Sequence, residues 1–133
     1  FNDAYIRDIL QDYSIVVDKF VCPVKWSELQ EVYSIAVDYF NDNGVMNMIY
    51  LQDISTYGAQ MIISYARKYS DINEYKNFHN DTLDMLIMAG VKCPHSYSIG
   101  RTNDRTIYNL DEIYVLLMKT IKKQLDSKNI LNP

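Results

Sequence analysis

The sequence is poor in the residues that interrupt regular structure and in those that cross-link it. Its 133 residues include only 4 glycines, 3 prolines, 2 cysteines and 2 histidines. Scarcity of glycine and proline favours long helices, because both residues are poor helix formers. A small secreted domain usually carries more than two cysteines, so we expect Cys22 and Cys93 to be reduced, buried thiols.

Further absences narrow the class of protein. No apolar run reaches the roughly 18 residues of a membrane-spanning helix, so we expect a soluble, intracellular domain that reaches a membrane only through an anchor missing from this sequence. The formal net charge is −4. Nucleic-acid binding depends on neutralising phosphates, so we expect no nucleic-acid partner. Length and 48% hydrophobic content fit one globular domain.

Residues that could carry catalysis are few and poorly grouped. The sequence has no G-x-S-x-G, P-loop or G-x-G-x-x-G pattern. A zinc site needs about four ligands, and Cys93 and His95 lack companions at suitable spacing. His79 lies among polar neighbours and is expected to be solvated, and Asp81 and Asp84 are expected on a wet helix face. We therefore expect no enzyme activity, no metal and no cofactor.

Apolar residues recur at helical spacing through most of the chain. This periodicity predicts five long helices, near residues 2–21, 26–41, 53–69, 71–90 and 110–125, and a short helix near 45–51. A strand is the alternative for the short segment, but no partner strand is evident. Pro23 ends the first helix, Gly44 ends the second, and Asp71 or Asn73 begins the helix near 71–90.

The predicted fold class is therefore all-α. Residues 1–125 are expected to form one compact helical bundle, and residues 126–133 a frayed C-terminal tail. Arg101 and Arg105 fall in the long irregular stretch before the last helix.

The 12 tyrosines and 6 methionines are the most informative part of the composition. A tyrosine on a helical stripe is typical of a core residue whose hydroxyl reaches the rim. Met46, Met48, Tyr50 and Met61, however, cluster around the short segment. Thioethers and aromatic rings together suit a groove that accepts an amphipathic helix. Core and groove both remain open for this cluster.

The second predicted helix contains Leu29-x3-Tyr33-x2-Ala36-Val37-Asp38-Tyr39-Phe40. This pattern resembles a BH3 motif of the Bcl-2 family. The segments 6–13 and 32–54 look like the first four segments of the divergent Bcl-2-like proteins of poxviruses. Cellular relatives carry an Asn-Trp-Gly-Arg motif, for which the nearest counterpart here is Thr56-Tyr57-Gly58-Ala59.

The resemblance implies a viral Bcl-2-like inhibitor of host apoptosis or innate signalling. Its partner would be a host BH3-type helix or an innate signalling protein, met in the host cytoplasm or at the mitochondrial surface. The groove candidates are Tyr33, Val37, Phe40, Met48 and Met61. The alternative is a non-catalytic structural or assembly module that oligomerises, for example as a homodimer, through exposed tyrosine and methionine residues.

Overall fold

The computed structural model describes residues 9–10, 12–95 and 111–131. These residues form three strands and three helices. The order is β1 (Ile15–Lys25), α1 (Leu29–Asp42), β2 (Met46–Gln52), β3 (Gly58–Lys68), α2 (Ile72–Met88) and α3 (Glu112–Leu125).

The predicted all-α bundle is wrong, because the protein has an α/β fold. β1 occupies the last third of the first predicted helix, while the described residues 9, 10 and 12 ahead of it are helical, and β3 occupies most of the predicted helix at 53–69. The short segment at 45–51 is a strand, β2, and its partner is β3. The helices expected near 26–41, 71–90 and 110–125 are confirmed as α1, α2 and α3, with ends shifted by up to three residues.

The three strands form an antiparallel sheet in the order β1-β3-β2. Asp18 of β1 lies opposite Tyr65 of β3, and Tyr50 of β2 lies opposite Ile62 of β3. On the far side of β1, Val21 forms an antiparallel bridge with His95. β1 and β2 are thus parallel and are joined by α1, as in the split β-α-β arrangement.

The core lies between one face of the sheet and the helices α1 and α2. Alternate residues of a strand point to the same face, and this period places one set of β1 and β3 side chains under the helices. The buried residues of this layer are Phe20, Cys22, Val24, Met61, Ile63 and Tyr65 from the strands, and Val32, Ala36, Phe40, Phe78, Leu83 and Leu86 from the helices.

The third helix does not take part in this core. None of the residues of α3 is buried. Its first turn is capped by the Asp111 carboxylate, which accepts a hydrogen bond from the backbone N–H of Ile113 at 2.9 Å. After the helix, the Asp126 carboxylate accepts the N–H groups of Ile130 and Leu131 at 2.8 and 2.9 Å. The predicted domain boundary at residue 125 stays a prediction.

None of the described helices is both long and apolar enough to cross a membrane.

Candidate functional site

Four side chains from three elements meet around one carboxylate, and we call them the Asp18 cluster: Asp18, Tyr65, Tyr75 and His79. The Tyr75 hydroxyl donates a hydrogen bond to Asp18 Oδ2 at 2.8 Å. The backbone N–H of Lys19 donates to Asp18 Oδ1 at 2.7 Å. His79 Nδ1 and the Tyr65 hydroxyl each lie 3.5 Å from Oδ2. Tyr75 and His79 reach the same point because residues four apart share a helix face.

Burial and hydrogen bonding act in opposite directions on the Asp18 carboxyl. Burial alone would raise the pKa of Asp18, but hydrogen bonds from His79, Tyr75 and Lys19 outweigh it and hold this pKa below its usual value. Burial raises the pKa of Tyr65 and of Tyr75 above that of free tyrosine. The cluster is therefore an ionised carboxylate facing neutral phenol groups.

The rings of Phe20 and Phe78 pack against the cluster, Phe20 against His79 and Phe78 against Tyr65. The His79 ring lies 4.8 Å from the Phe20 ring, measured between centroids. The Arg67 guanidinium lies 4.6 Å from the centroid of the Phe78 ring. Burial raises the pKa of neighbouring Tyr69 to about 12. Only 3% of the His79 side chain is exposed, so the predicted solvated histidine is wrong.

The geometry of the Asp18 cluster fits a structural contact that holds β1 against α2, rather than a catalytic site. Its members line neither of the two clefts described next. A general base must come within hydrogen-bonding distance of its substrate or reach it through a water, and His79 is too deeply buried for that.

The first cleft, which we call the end cleft, lies where the β2–β3 hairpin meets the end of β1. It has a volume of about 290 Å³ and is lined by Lys25, Asp53, Ser55 and Tyr57 among others. Tyr57 is 86% exposed. Lys25 Nζ forms an ion pair with Glu28 Oε1 at 2.9 Å. With the Asp53 carboxylate also present, the cleft has no excess positive charge.

The second cleft, the edge cleft, lies between α1 and the outer strand β2. It has a volume of about 270 Å³ and a mainly apolar lining of Leu29, Gln30, Tyr33, Ile49, Tyr50 and Leu51.

The five predicted groove residues do not share one surface. Phe40 and Met61 are fully buried in the core. Val37 is half-buried on α1, and Tyr33 lines the edge cleft. Met48 is 61% exposed and lies opposite Ser64, on the sheet face away from the helices.

The described residues hold no group of three or more potential metal ligands. Cys22 is completely buried, and this burial raises the pKa of its thiol to about 12.

The whole chain, residues 1–133, matches the family model described as FAD linked oxidases, C-terminal domain. The chain therefore belongs to that family. Two solved structures of alkyldihydroxyacetonephosphate synthase share its fold, one in crystal form P212121 with a TM-score of 0.60 and one in P1 with a TM-score of 0.58. No curated protein matches the sequence.

The similarity to these two structures supports the fold alone, because sequence identity is 22% in both. Each alignment covers 99% of this chain and 22% of the other chain. This chain thus corresponds to less than a quarter of the length of either solved protein.

The family match corrects the predicted identity and function. The chain is not a poxvirus-type Bcl-2-like protein, and neither the viral inhibitor of apoptosis nor the non-catalytic assembly module describes it. The expectation of no enzyme role is also wrong, since the family is a domain of oxidases. The BH3-like pattern belongs to α1, whose apolar stripe packs on a sheet. Any helix packed this way has apolar residues at similar spacing.

Neither cleft fits FAD. Pockets for drug-sized ligands enclose roughly 300–1,000 Å³, and FAD is larger than most such ligands. Proteins commonly place a dinucleotide pyrophosphate at a free helix N-terminus. Here each described helix begins with carboxylates, from Glu28 and Glu31 in α1, Asp71 and Glu74 in α2, and Asp111 and Glu112 in α3. These charges disfavour a pyrophosphate, so the described residues do not form a cradle for the cofactor.

Proposed function

We propose that this chain acts as the part of an FAD-linked oxidase that lies against a cofactor held mainly by other residues. The observation that carries the proposal is the family match over all 133 residues. It is supported by two features of the described residues, which are the small clefts and the acidic helix N-termini. The chain would supply a packing surface for the assembled oxidase, and the bound flavin would supply the redox chemistry.

The exposed apolar side of α3 supports this proposal. Six residues at helical spacing form a stripe on one side of the helix, with lysines on the other side. A 14-residue helix is marginally stable in water without tertiary packing, so the stripe is expected to pack against another part of the oxidase. We call it the α3 stripe: Ile113, Tyr114, Leu117, Met118, Ile121 and Leu125.

The end cleft is not expected to select the substrate of this oxidase by itself. The two solved structures are named for a compound that carries a phosphate group. Proteins usually bind a phosphate through cationic side chains that are not already paired with carboxylates. Lys25 is paired with Glu28, and the Asp53 carboxylate lines the same cleft. We therefore expect dihydroxyacetone phosphate to show no specific binding to the end cleft.

Two flavin measurements test the proposal. The 133-residue chain is titrated with FAD by flavin fluorescence, and the complete product of the gene is purified and its flavin content measured. We expect no saturable binding to the chain alone and a stoichiometric, reducible flavin in the complete product. Saturable binding of FAD by the chain alone would show that it forms the cradle itself. A complete product that carries no flavin, and takes up none when FAD is added, would overturn the oxidase function.

A further inference from the structure

Asn43 is the only asparagine of the sequence that is followed by glycine. Asn43 and Gly44 are both exposed, and they lie in the turn between the end of α1 and the start of β2. In such a pair the backbone nitrogen of the glycine can attack the side-chain amide of the asparagine, because no Cβ atom on the glycine hinders the approach. This turn is therefore the position of the sequence most susceptible to spontaneous deamidation.

The reaction needs only water as a second reactant. The Gly44 nitrogen forms a bond to Cγ of Asn43, the bond from Cγ to Nδ2 breaks, and the proton of the Gly44 nitrogen leaves with the released ammonia. Water then opens the resulting cyclic imide. Opening at Cγ gives aspartate, and opening at the backbone carbonyl carbon of Asn43 gives isoaspartate, in which the main chain runs through Cγ. No group is oxidised or reduced.

Hydrogen bonds hold both reacting groups of this pair. The Gly44 N–H donates to the carbonyl oxygen of Asn41 at 2.9 Å. Asn43 Nδ2 donates to the carbonyl oxygen of Tyr39 at 2.8 Å, which ties the side-chain amide to the preceding turn of α1. The attacking nitrogen and the amide that it must reach are therefore both engaged in the folded chain.

A buried contact closes the same turn. The Val45 N–H donates to the carbonyl oxygen of Phe40 at 2.9 Å, and Gly44 has a φ of +62°, as in the Schellman motif that ends many helices. The side chains of Val45 and Phe40 are only 4% and 0% exposed and belong to the core. Attack by the Gly44 nitrogen therefore requires this turn to open first.

We propose that Asn43 is a deamidation site whose reaction rate is set by local opening of the turn between α1 and β2, and whose products prevent the turn from closing as before. This inference does not depend on the flavin or on the oxidase function. Because the released ammonia is lost, each event is irreversible, and chains with a loosened turn accumulate as the protein ages.

Both products weaken the end of α1. An aspartate at position 43 has no N–H group to donate to Tyr39, and it places a negative charge at the C-terminal end of the helix, where the helix dipole is itself negative. The last turn of α1 contains no basic residue to offset that charge, and Asp42 lies beside it. Isoaspartate also lengthens the main chain by one methylene between α1 and β2.

Peptide mass spectrometry of the 133-residue chain, digested after incubation at mildly alkaline pH, measures the reaction at position 43. We expect the folded chain to react at least about tenfold more slowly than the chain unfolded in urea, because only the opened turn is reactive. Asn77, which is exposed and precedes a phenylalanine, is the internal control and should react slowly in both states.

Two matched substitutions distinguish opening of the turn from unfolding of the whole chain. Val45→Ala removes a buried side chain at the turn, and Val32→Ala removes the same groups near the start of α1, where Val32 is 1% exposed. We expect Val45→Ala to accelerate deamidation about tenfold and Val32→Ala to change it by less than about twofold. If circular dichroism shows either variant to be unfolded, wild type in low urea makes the same distinction. Local opening exposes little surface, so the rate should stay nearly constant until the main unfolding transition.

Asn43→Asp tests the effect of the product. We expect the backbone N–H of Val45 to exchange with solvent about fivefold faster or more in this variant, measured by hydrogen exchange, because a hydrogen bond is lost and the helix dipole opposes the new charge. Asn77→Asp adds the same charge on α2 and should leave this exchange unchanged.

Four results would overturn the inference. One is a folded chain that reacts at position 43 as fast as the unfolded chain, and another is an unfolded chain that does not react there at all. The third is equal acceleration by Val45→Ala and Val32→Ala, or a wild-type rate that rises from the lowest urea concentration, since either makes unfolding of the whole chain the limiting step. The fourth is an Asn43→Asp variant in which exchange at Val45 is unchanged.

Discussion

Asp18 joins β1 to α2 across 57 residues of sequence, through a carboxylate that accepts hydrogen bonds from Tyr75 and from the backbone of Lys19. Hydrogen bonds to a charged group are stronger than those between neutral groups. A carboxylate with only 17% of its side chain exposed also needs them, because burying an unsolvated charge is costly. Removing the charge should therefore loosen the contact between the sheet and α2.

We expect Asp18→Asn to lower the free energy of unfolding by about 1.5–3 kcal/mol, the usual contribution of hydrogen bonds to a charged group. Urea unfolding at neutral pH measures this loss. Asp81→Asn is the matched control, since Asp81 is exposed on α2 and should change the stability by no more than about 0.5 kcal/mol. Equal losses in the two variants would contradict the proposed role of Asp18.

The contribution of Asp18 to the free energy of unfolding should also depend on pH. The pKa of Asp18 is lower in the folded protein than in free aspartate. Its contribution is therefore fully present above the usual aspartate pKa and is lost as the pH falls through the lowered value. The difference in stability between wild type and Asp18→Asn should shrink over this acidic range. His79, Tyr65 and Tyr75 face the same carboxylate, so the titration is repeated in His79→Gln to separate its contribution.

His79 shows how local composition misleads at the scale of one residue. The polar neighbours Asn77, Asn80 and Asp81 suggested a solvated side chain. Position on the helix decides instead, because His79 follows Tyr75 by four residues and precedes Leu83 by four. This spacing could have placed His79 on the buried face from the sequence alone. Its contact with Asp18 could not be predicted in the same way, since Asp18 was assigned to a helix.

At the scale of elements, β1 was mistaken for a helix because its spacing fits both structures. Val16, Val17 and Phe20 match a helical stripe, yet the segment is rich in β-branched residues, which favour strands. The sequence prediction places the end of a helix at Pro23, and this is wrong. Pro23 lies inside β1, at the edge of the three-stranded sheet, where proline is tolerated.

β3 was harder to recognise because it is the central strand. Ile62, on the face away from the helices, is as buried as Met61 and Ile63, and its neighbours on that face are mostly half-buried. The alternation typical of a half-exposed strand is therefore weak. Without β3, the short segment β2 had no visible partner. The helices are easier to locate from the sequence, and of the two residues predicted to begin α2, Asp71 and Asn73, the structure has Asp71 as the cap. Its carboxylate accepts the N–H groups of Asn73 and Glu74 at 2.7 and 2.9 Å.

The close approach of β3 to β1 near Lys25 is possible because Gly58 has no side chain. A Cβ atom there would lie 2.1 Å from the carbonyl oxygen of Val24. We expect Gly58→Ala to destabilise the protein by about 3 kcal/mol, the upper end of the usual cost of overpacking. Gly44→Ala is the control. Gly44 has open space around it and a φ of +62°, so its loss should cost only about 1–2 kcal/mol.

Chemical denaturation of both glycine variants gives the comparison. A Gly58→Ala variant no less stable than Gly44→Ala would show that β1 can move away from β3 at little cost. It would also mean that the pairing of Lys25 with Gly58 is not a tight constraint on the sheet.

At the scale of the whole molecule, local periodicity did not reveal how the elements form layers. α1 has an apolar stripe of the kind that also occurs in helical bundles. The surface that receives this stripe comes from β1 and β3, which lie on both sides of it in sequence. Contacts of this kind are set by strand pairing. The family match over the full length of the chain supplied the identity that these local patterns lacked.

α3 connects the chain to the larger oxidase in our proposal, and matched substitutions on its two sides test this. Leu117, on the α3 stripe, is 53% exposed, so Leu117→Gln should leave the unfolding free energy of the 133-residue chain within about 0.5 kcal/mol. In the complete product of the gene the same change should cost about 1.5–3 kcal/mol, the value of burying a leucine, and should lower flavin retention on dilution.

Lys119→Gln introduces the same side chain on the lysine side of α3 and should change neither quantity in the complete product. If both variants retain flavin equally well and unfold at the same temperature as the wild type, the α3 stripe does not face the cofactor-holding part. A loss confined to Leu117→Gln, present in the complete product and absent from the 133-residue chain, would instead show that this apolar surface is buried only when the oxidase is assembled. That difference separates packing between parts of the oxidase from stability inside this chain, because the described core does not include α3.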